Sequence, residues 1–180
     1  YPQTGPYAKE GKDQWYAAEI ARKEINDAGG ILGKRVVYRW SDSASNPNKT
    51  KANLTAAIKR DKVKMAFGGS SSAVAIVAGE ICRKNNILFF GTLTYSTATT
   101  GKAGHRHLFR ECYNSWMGAK AVGSYLRKKH RNAKYFYITA DYTWGWTTES
   151  SFRTFTGTSD KDAHPGVLTP FPSGFYDDAL

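Results

Sequence analysis

Cysteine is scarce in this chain: only Cys82 and Cys112 occur in 180 residues. A small disulfide-stapled scaffold is therefore excluded. Cys82 falls late in a helical stretch that begins at Ser72, and Cys112 follows a short apolar run, so the two are expected at opposite ends of the domain and unbonded. No segment approaches the roughly 20 apolar residues that a membrane-spanning helix needs, and no signal peptide is visible. Metal-ligating clusters are missing too. His105 and His107 form an H-x-H pair, too few ligands for a defined ion site, and neither a metal nor a cofactor is expected. There is no Ser-His-Asp arrangement and no pair of carboxylates at a cleft, which argues against an enzyme. The run Gly29 to Lys34 falls short of a phosphate loop: Ala28 stands where the first glycine belongs, and Arg35 where Ser or Thr belongs.

Acidic residues are the last scarcity. Fifteen face 26 basic ones, for a net charge of +11. The basic residues are spread through every expected helix. Their densest group, Arg127 to Arg131, lies at a helix end, where cations suit the dipole. This is the pattern of a solvated basic surface, and no nucleic-acid partner is expected.

What the chain does have is alternation. Helical periodicity covers Glu10–Ala28, with Ala17, Ala21, Ile25 and Ala28 as its apolar stripe and Ala18 and Trp15 near it, and Gly29 and Gly30 stop it. Val36–Trp40 reads as a strand. Asn48 is a candidate cap for a helix running to Arg60, and Val63–Phe67 is the next strand. A small-residue helix over Ala73–Asn85 and a strand over Ile87–Phe90 follow, then a strand at Leu108–Glu111. The helix Trp116–His130 is expected to bury Ala119, Val122, Tyr125 and Leu126. Tyr135–Ile138 is a strand with its carboxyl-end loop at Ala140–Trp146, and Thr147–Phe155 is a helix. Val167–Phe171 is a strand, Pro172–Gly174 a turn, and Asp177–Leu180 opens a further helix. Helices and strands in alternation with short connections make an α/β domain on a parallel sheet.

The chemistry concentrates after the strand ending at Phe67. Gly68 and Gly69 permit a tight turn, and Ser70, Ser71 and Ser72 stand at the mouth of a helix. Free N–H groups and the positive dipole end favour an anion there, such as a carboxylate. The next strand ends in a hydroxyl-rich loop holding Thr92, Thr94, Tyr95, Ser96 and Thr97 beside the same mouth. Ligands of open α/β sheets bind at such carboxyl ends. The alternative is that the serines only cap the helix and the threonines only make a turn.

Thr4–Gly11 (T-G-P-Y-A-K-E-G), Glu24–Lys34 (E-I-N-D-A-G-G-I-L-G-K), Asp42–Pro47, the G-G-S-S-S-A-V-A run, Leu108–Arg110 and Asp141–Gly145 (D-Y-T-W-G) occur in a familiar order and spacing. Together they resemble type I periplasmic solute-binding proteins, nearest the leucine/isoleucine/valine-binding branch that serves ABC importers. The resemblance covers almost the whole chain. It implies two doubly wound α/β lobes, with residues 1–112 as lobe one, lacking its first strand, and 113–180 as part of lobe two. A sheet without its middle strand leaves ladder groups unpaired, so another segment, or residues outside this sequence, should fill the place.

The resemblance also implies function: an extracytoplasmic protein, periplasmic or lipid-anchored, that captures an amino acid, amide or related carboxylate for a membrane permease and acts as a monomer. A sensor domain of the same fold is the alternative. Ser71 or Ser72 would bind the ligand carboxylate with Ser70 beside them, Thr94 and Tyr95 would contact the ligand backbone, and Trp144 would cover it on closure. Tyr95 and Trp144 are bulkier or flatter than the groups usual in relatives, which implies a pocket unlike a leucine site. A loop hydrogen bond is the other reading of Tyr95, and packing the other reading of Trp144. The acidic partner of a ligand ammonium is expected beyond Leu180.

Overall fold

A computed structural model describes residues 1–172 of the chain. Five helices and five strands make up the described residues. Helix α1 spans Ala8–Asp27 and α2 spans Pro47–Asp61. Strand β1 (Met65–Gly68) leads into α3 (Ser72–Lys84), followed by β2 (Leu88–Gly91) and β3 (Leu108–Arg110). Helix α4 (Ser115–Lys129), β4 (Tyr137–Ala140), α5 (Thr143–Thr156) and β5 (Gly166–Thr169) complete the order.

The strands form two parallel sheets, β1-β2-β3 and β4-β5. Register in the first runs Phe67 opposite Phe90 and Phe90 opposite Phe109, so all three strands end at one edge. The small residues of α3 let it lie close on this sheet. Ala75, Ala78 and Cys82 pack with Phe89 and Leu108 into the core, with Leu54, Ala66 and Ile87 against it. Burial pushes the Cys82 thiol up to about 12, so it is a packing group and not a nucleophile. Both cysteines are free, as expected.

Val36–Trp40 was expected as a strand and is not one. Among the described residues it has no ladder partner, although Asn26 holds Val36 from both sides, its Nδ2 donating to Val36 O at 3.0 Å and its Oδ1 accepting from Val36 N at 2.7 Å. A groove of about 560 Å³ lies between this segment and β1, lined by Tyr38, Trp40, Leu54, Phe67, Val74 and Phe89 among others. A strand needs a neighbour to bond, and none of the described residues lies in that groove.

Several finer expectations are also corrected. Asn46, not Asn48, caps α2: its Oδ1 accepts from the N–H groups of Asn48 and Lys49 at 2.8 and 3.0 Å, with Pro47 at the first helical position. In α1 the buried positions are Gly11, Ala18 and Asn26; of the expected apolar positions Ala18 is buried and Ile25 half-buried, while Trp15, Ala17, Ala21 and Ala28 are exposed. In α4, Val122 and Tyr125 are more than half exposed, while Ser115, Ala119 and Gly123 are buried. This face meets α5, where a Cβ on Gly123 would lie 2.9 Å from Phe155 Cβ. Small residues mark the helix contact because they let the backbones approach. The turn expected at Pro172–Gly174 and the helix expected from Asp177 lie wholly or partly outside the described residues.

Candidate functional site

The two glycines after β1 make the turn into α3. Both have positive φ, +131° at Gly68 and +87° at Gly69, a region that favours glycine. Their carbonyls accept from Thr92 N at 3.1 Å and Leu93 N at 3.2 Å, which ties the loop after β2 to the loop after β1. Ser96 N donates to Ser72 Oγ at 3.0 Å and adds a third tie. The hydroxyl-rich loop therefore stands beside the serine turn through bonds that no local pattern specifies.

At the helix mouth, Ser71 is the N-cap residue, with extended backbone and a side chain that makes no capping bond. The first helical bond runs from Ala75 N to Ser71 O at 3.0 Å. The N–H groups of Ser72, Ala73 and Val74 precede it and lack an intrahelical acceptor. Ser70, Ser71 and Ser72 are buried, at 9%, 6% and 2% exposure. Ser70 Oγ accepts from Gln14 Nε2 at 2.5 Å, and Gln14 Oε1 accepts from Thr92 Oγ1 at 2.6 Å. Gln14 of α1 thus links the two loops.

Thr94 is wholly buried. Its N–H donates to Cys112 Sγ at 3.3 Å, and its hydroxyl lies over Gly91 without a partner. Tyr95 is half-buried, its ring 4.7 Å from Tyr113, and its carbonyl accepts from Ser115 N at 2.7 Å. Arg110 brings a cation to the same edge, donating to Cys112 O at 3.0 Å and Ser96 O at 3.4 Å.

The second sheet presents its own strand-to-helix turn to this edge. Ser96 Oγ donates to Thr143 O at 3.4 Å, and Thr147 Oγ1 donates to Ser96 Oγ at 3.1 Å. Trp144 was expected in a loop, but α5 already begins at Thr143, so Trp144 lies in its first turn. Gly145 allows this early start, since a Cβ there would collide with the Ala140 carbonyl. Trp144 is half-buried, its ring 6.0 Å from Tyr142, the N-cap residue. Tyr142 reaches across the gap, its hydroxyl 2.5 Å from that of Tyr7. Phe171 stacks on both, at 5.4 Å from Tyr7 and 4.7 Å from Tyr142. Burial raises both phenol pKa values, so the pair stays neutral and hydrogen-bonded at physiological pH.

The structure therefore sets the Ser70–Ser72 turn beside the Thr92–Ser96 loop, with Thr94 packed inward, and the Thr143–Thr147 turn that carries Trp144 meets this loop through Ser96. Sequence reasoning gave no role to Gln14, Tyr7, Tyr142 or Arg110. Tyr7 and Gln14 carried a signal, being seven residues apart and so on one stripe of α1.

A family model described as periplasmic binding protein matches residues 1–161. The chain belongs to the periplasmic binding protein family. Among relatives, it is 30% identical over 135 residues to a Leu/Ile/Val-binding protein homologue of Brucella melitensis, covering 74% of this chain and 36% of that one. Two solved structures share the fold. A solute-binding protein of an ABC transporter from R. palustris, in complex with benzoate, superposes at a TM-score of 0.83 with 20% identity, over 99% of this chain and 49% of its own. LivJ of Streptococcus pneumoniae, in complex with isoleucine, superposes at 0.76 with 22% identity, over 97% and 49%. This periplasmic binding protein chain thus spans about half the length of these solved chains and about a third of the curated relative. The type I fold expected from the sequence is the fold these superpositions show.

Proposed function

We propose that the chain builds most of one wall, and part of the facing wall, of an extracytoplasmic solute-binding protein serving an ABC importer. In this reading residues 1–112 form one lobe, and the second begins at residue 113. The ligand's carboxylate sits at the start of α3, held by the free N–H groups after Ser71 and by the Ser71 hydroxyl, with Ser70 and Ser72 fixing the turn. Tyr95 and Trp144 flank the ligand from either side, and Thr94 supports the loop from within. Arg110, held by the carbonyls of Cys112 and Ser96, adds positive potential at the same edge.

The observation that carries the reading is the uncapped mouth of α3. Its cap residue makes no side-chain bond to the helix, yet the turn around it is pinned by Gln14, Thr92 and Ser96. A helix mouth that the surrounding turn holds in place and no cap side chain satisfies is suited to an external anion. The two ligand-bound structures fit this, because isoleucine and benzoate share a carboxylate.

Isothermal titration of the full-length protein with L-isoleucine and with benzoate tests it. One site per chain is expected for at least one of them, with affinity reduced about 10- to 100-fold in Ser71→Ala/Ser72→Ala, equivalent to about 1.4–2.7 kcal/mol. Unchanged affinity in that variant would move the carboxylate elsewhere.

A further inference from the structure

We infer that the edge of the first sheet remote from the serine turn is a docking face for an anionic lipid surface, with Leu32 as the side chain that enters it. In a parallel sheet the strands all begin at one edge. There the segments before β2 and β3 meet, with His107 Nε2 3.0 Å from Asn86 Oδ1. The turn after α1 joins the segment before β1, since Ile31, Lys34 and Arg35 line the same groove as Lys62, Lys64 and Met65.

Cations that are scattered along the sequence are gathered here by the fold. Lys34, Arg35, Lys62, Lys64 and Arg106 are exposed and, among the described residues, form no salt bridge. The acids at the neighbouring helix ends are already matched: Asp27 with Lys23, Asp61 with Arg60, and Glu80 with Arg83 and Lys84. Glu24, a turn further into α1, makes no such pair among the described residues. A helix dipole draws cations to the last turn, but Lys34, Arg35, Lys64 and Arg106 stand in the connections, where the dipole does not account for them.

Leu32 points the same way. The turn Ile31–Lys34 is closed by N–H to carbonyl bonds in both directions, at 2.9 and 3.0 Å. It holds Leu32 at φ +52°, a left-handed conformation that suits glycine or asparagine. Leu32 is also 95% exposed, so neither backbone preference nor packing favours leucine there. Met65 and Leu88 are exposed along the same edge. Cations around a projecting apolar side chain match a bilayer interface, where anionic headgroups overlie hydrocarbon. A nucleic acid would answer the charge and leave the leucine in water. This face lies away from the solute site and does not depend on it.

Full-length protein is sedimented with vesicles of phosphatidylcholine and phosphatidylglycerol in equal parts, and with vesicles of phosphatidylcholine alone. Binding to the anionic vesicles only is expected, weakened in about 1 M salt, where charges act over about 3 Å. Lys34→Glu/Lys64→Glu should reduce partitioning at least about 20-fold, and Leu32→Ser about tenfold. Leu32→Gly, which the positive φ accommodates, removes the same side chain a second way. Lys128→Glu/Arg131→Glu makes an equal charge change at the end of α4 and should alter partitioning less than about twofold. No partitioning to anionic vesicles, an equal loss in the α4 variant, or unchanged partitioning in both Leu32 variants overturns the assignment. Retention on heparin or duplex DNA in place of vesicles would give the edge to another polyanion and overturn it as well.

Discussion

Asp42 organises the approach to the cleft. Its carboxylate accepts from Gln3 N at 2.7 Å, Thr4 N at 3.2 Å, Ala44 N at 2.9 Å and Thr4 Oγ1 at 2.8 Å, and pairs with Lys49 Nζ at 2.6 Å. These bonds fix the loop that delivers Tyr7. Burial opposes the charge, but the bonds from Lys49, Gln3, Ala44 and Thr4 outweigh it and hold the carboxyl well below the usual carboxylate range. A depressed folded-state pKa adds stability that is complete above the unfolded value of about 3.9 and is lost as pH falls toward the folded value. Asp42→Asn should therefore cost about 2 kcal/mol near neutrality. The gap to wild type should close progressively below about pH 4, as followed by urea melts across pH. A gap independent of pH would show that the charge on Asp42 is not what matters.

Arg153 plays the corresponding part beside the second sheet. It is 5% exposed, donates to Glu149 at 2.6 Å and to the carbonyls of Thr158 and His164 at 2.9 and 2.8 Å, and lies 4.0 Å over the Tyr137 ring. Removing one partner of a buried pair strands the other. Arg153→Met should cost about 3–5 kcal/mol in thermal or urea melts, and a loss below about 1 kcal/mol would mean that water satisfies Glu149 instead.

Among the elements, the α4–α5 pair and the β4–α5 turn depend on residues that are small. Ser115, Ala119 and Gly123 line the face of α4 that meets α5. Hydrophobic periodicity found Ala119 but also pointed to Val122 and Tyr125, since it scores side-chain size and not the room a neighbouring helix leaves. Gly123→Leu should cost about 3 kcal/mol by overpacking, whereas Val122→Ser should change stability by less than about 0.5 kcal/mol. Equal effects from the two would place the contact on the wrong face. The start of α5 was missed for a related reason. Tyr142 is a poor sequence signal for an N-cap, and the helix can begin there because Gly145 fits against the Ala140 carbonyl.

At the scale of the whole molecule, the two sheets meet through polar contacts: Tyr7 with Tyr142, and Ser96 with Thr143 and Thr147. Hydroxyl bonds that are worth about 1 kcal/mol each can break and re-form as a cleft opens and closes. Tyr142→Phe removes one and should raise the ligand dissociation rate of the full-length protein about fivefold, read by stopped-flow fluorescence. An unchanged rate would mean that this contact does not hold the cleft shut. The groove beside Val36–Trp40 makes a separate prediction. In hydrogen exchange of the 180-residue chain, amides of Val37–Trp40 should exchange at loop rates while those of Phe89 and Phe90 stay protected.

The sequence by itself determined the alternation of helices and strands, the parallel sheet and the serine turn at the start of α3. Each follows from local rules: apolar period, glycine at a tight turn, hydroxyl groups at a helix mouth. It also carried the order of motifs that places the chain in its family. Only the tertiary structure decided that Val36–Trp40 has no ladder partner among the described residues, that Thr94 packs inward, that Gln14 links the loops after β1 and β2, and that Tyr7 meets a tyrosine from the other sheet. A strand needs a partner brought from elsewhere in the chain, and the contact between the two sheets joins residues 135 positions apart, Tyr7 and Tyr142. Neither can be read from neighbours along the chain, because the energy that fixes them comes from contacts that exist only once the elements have docked.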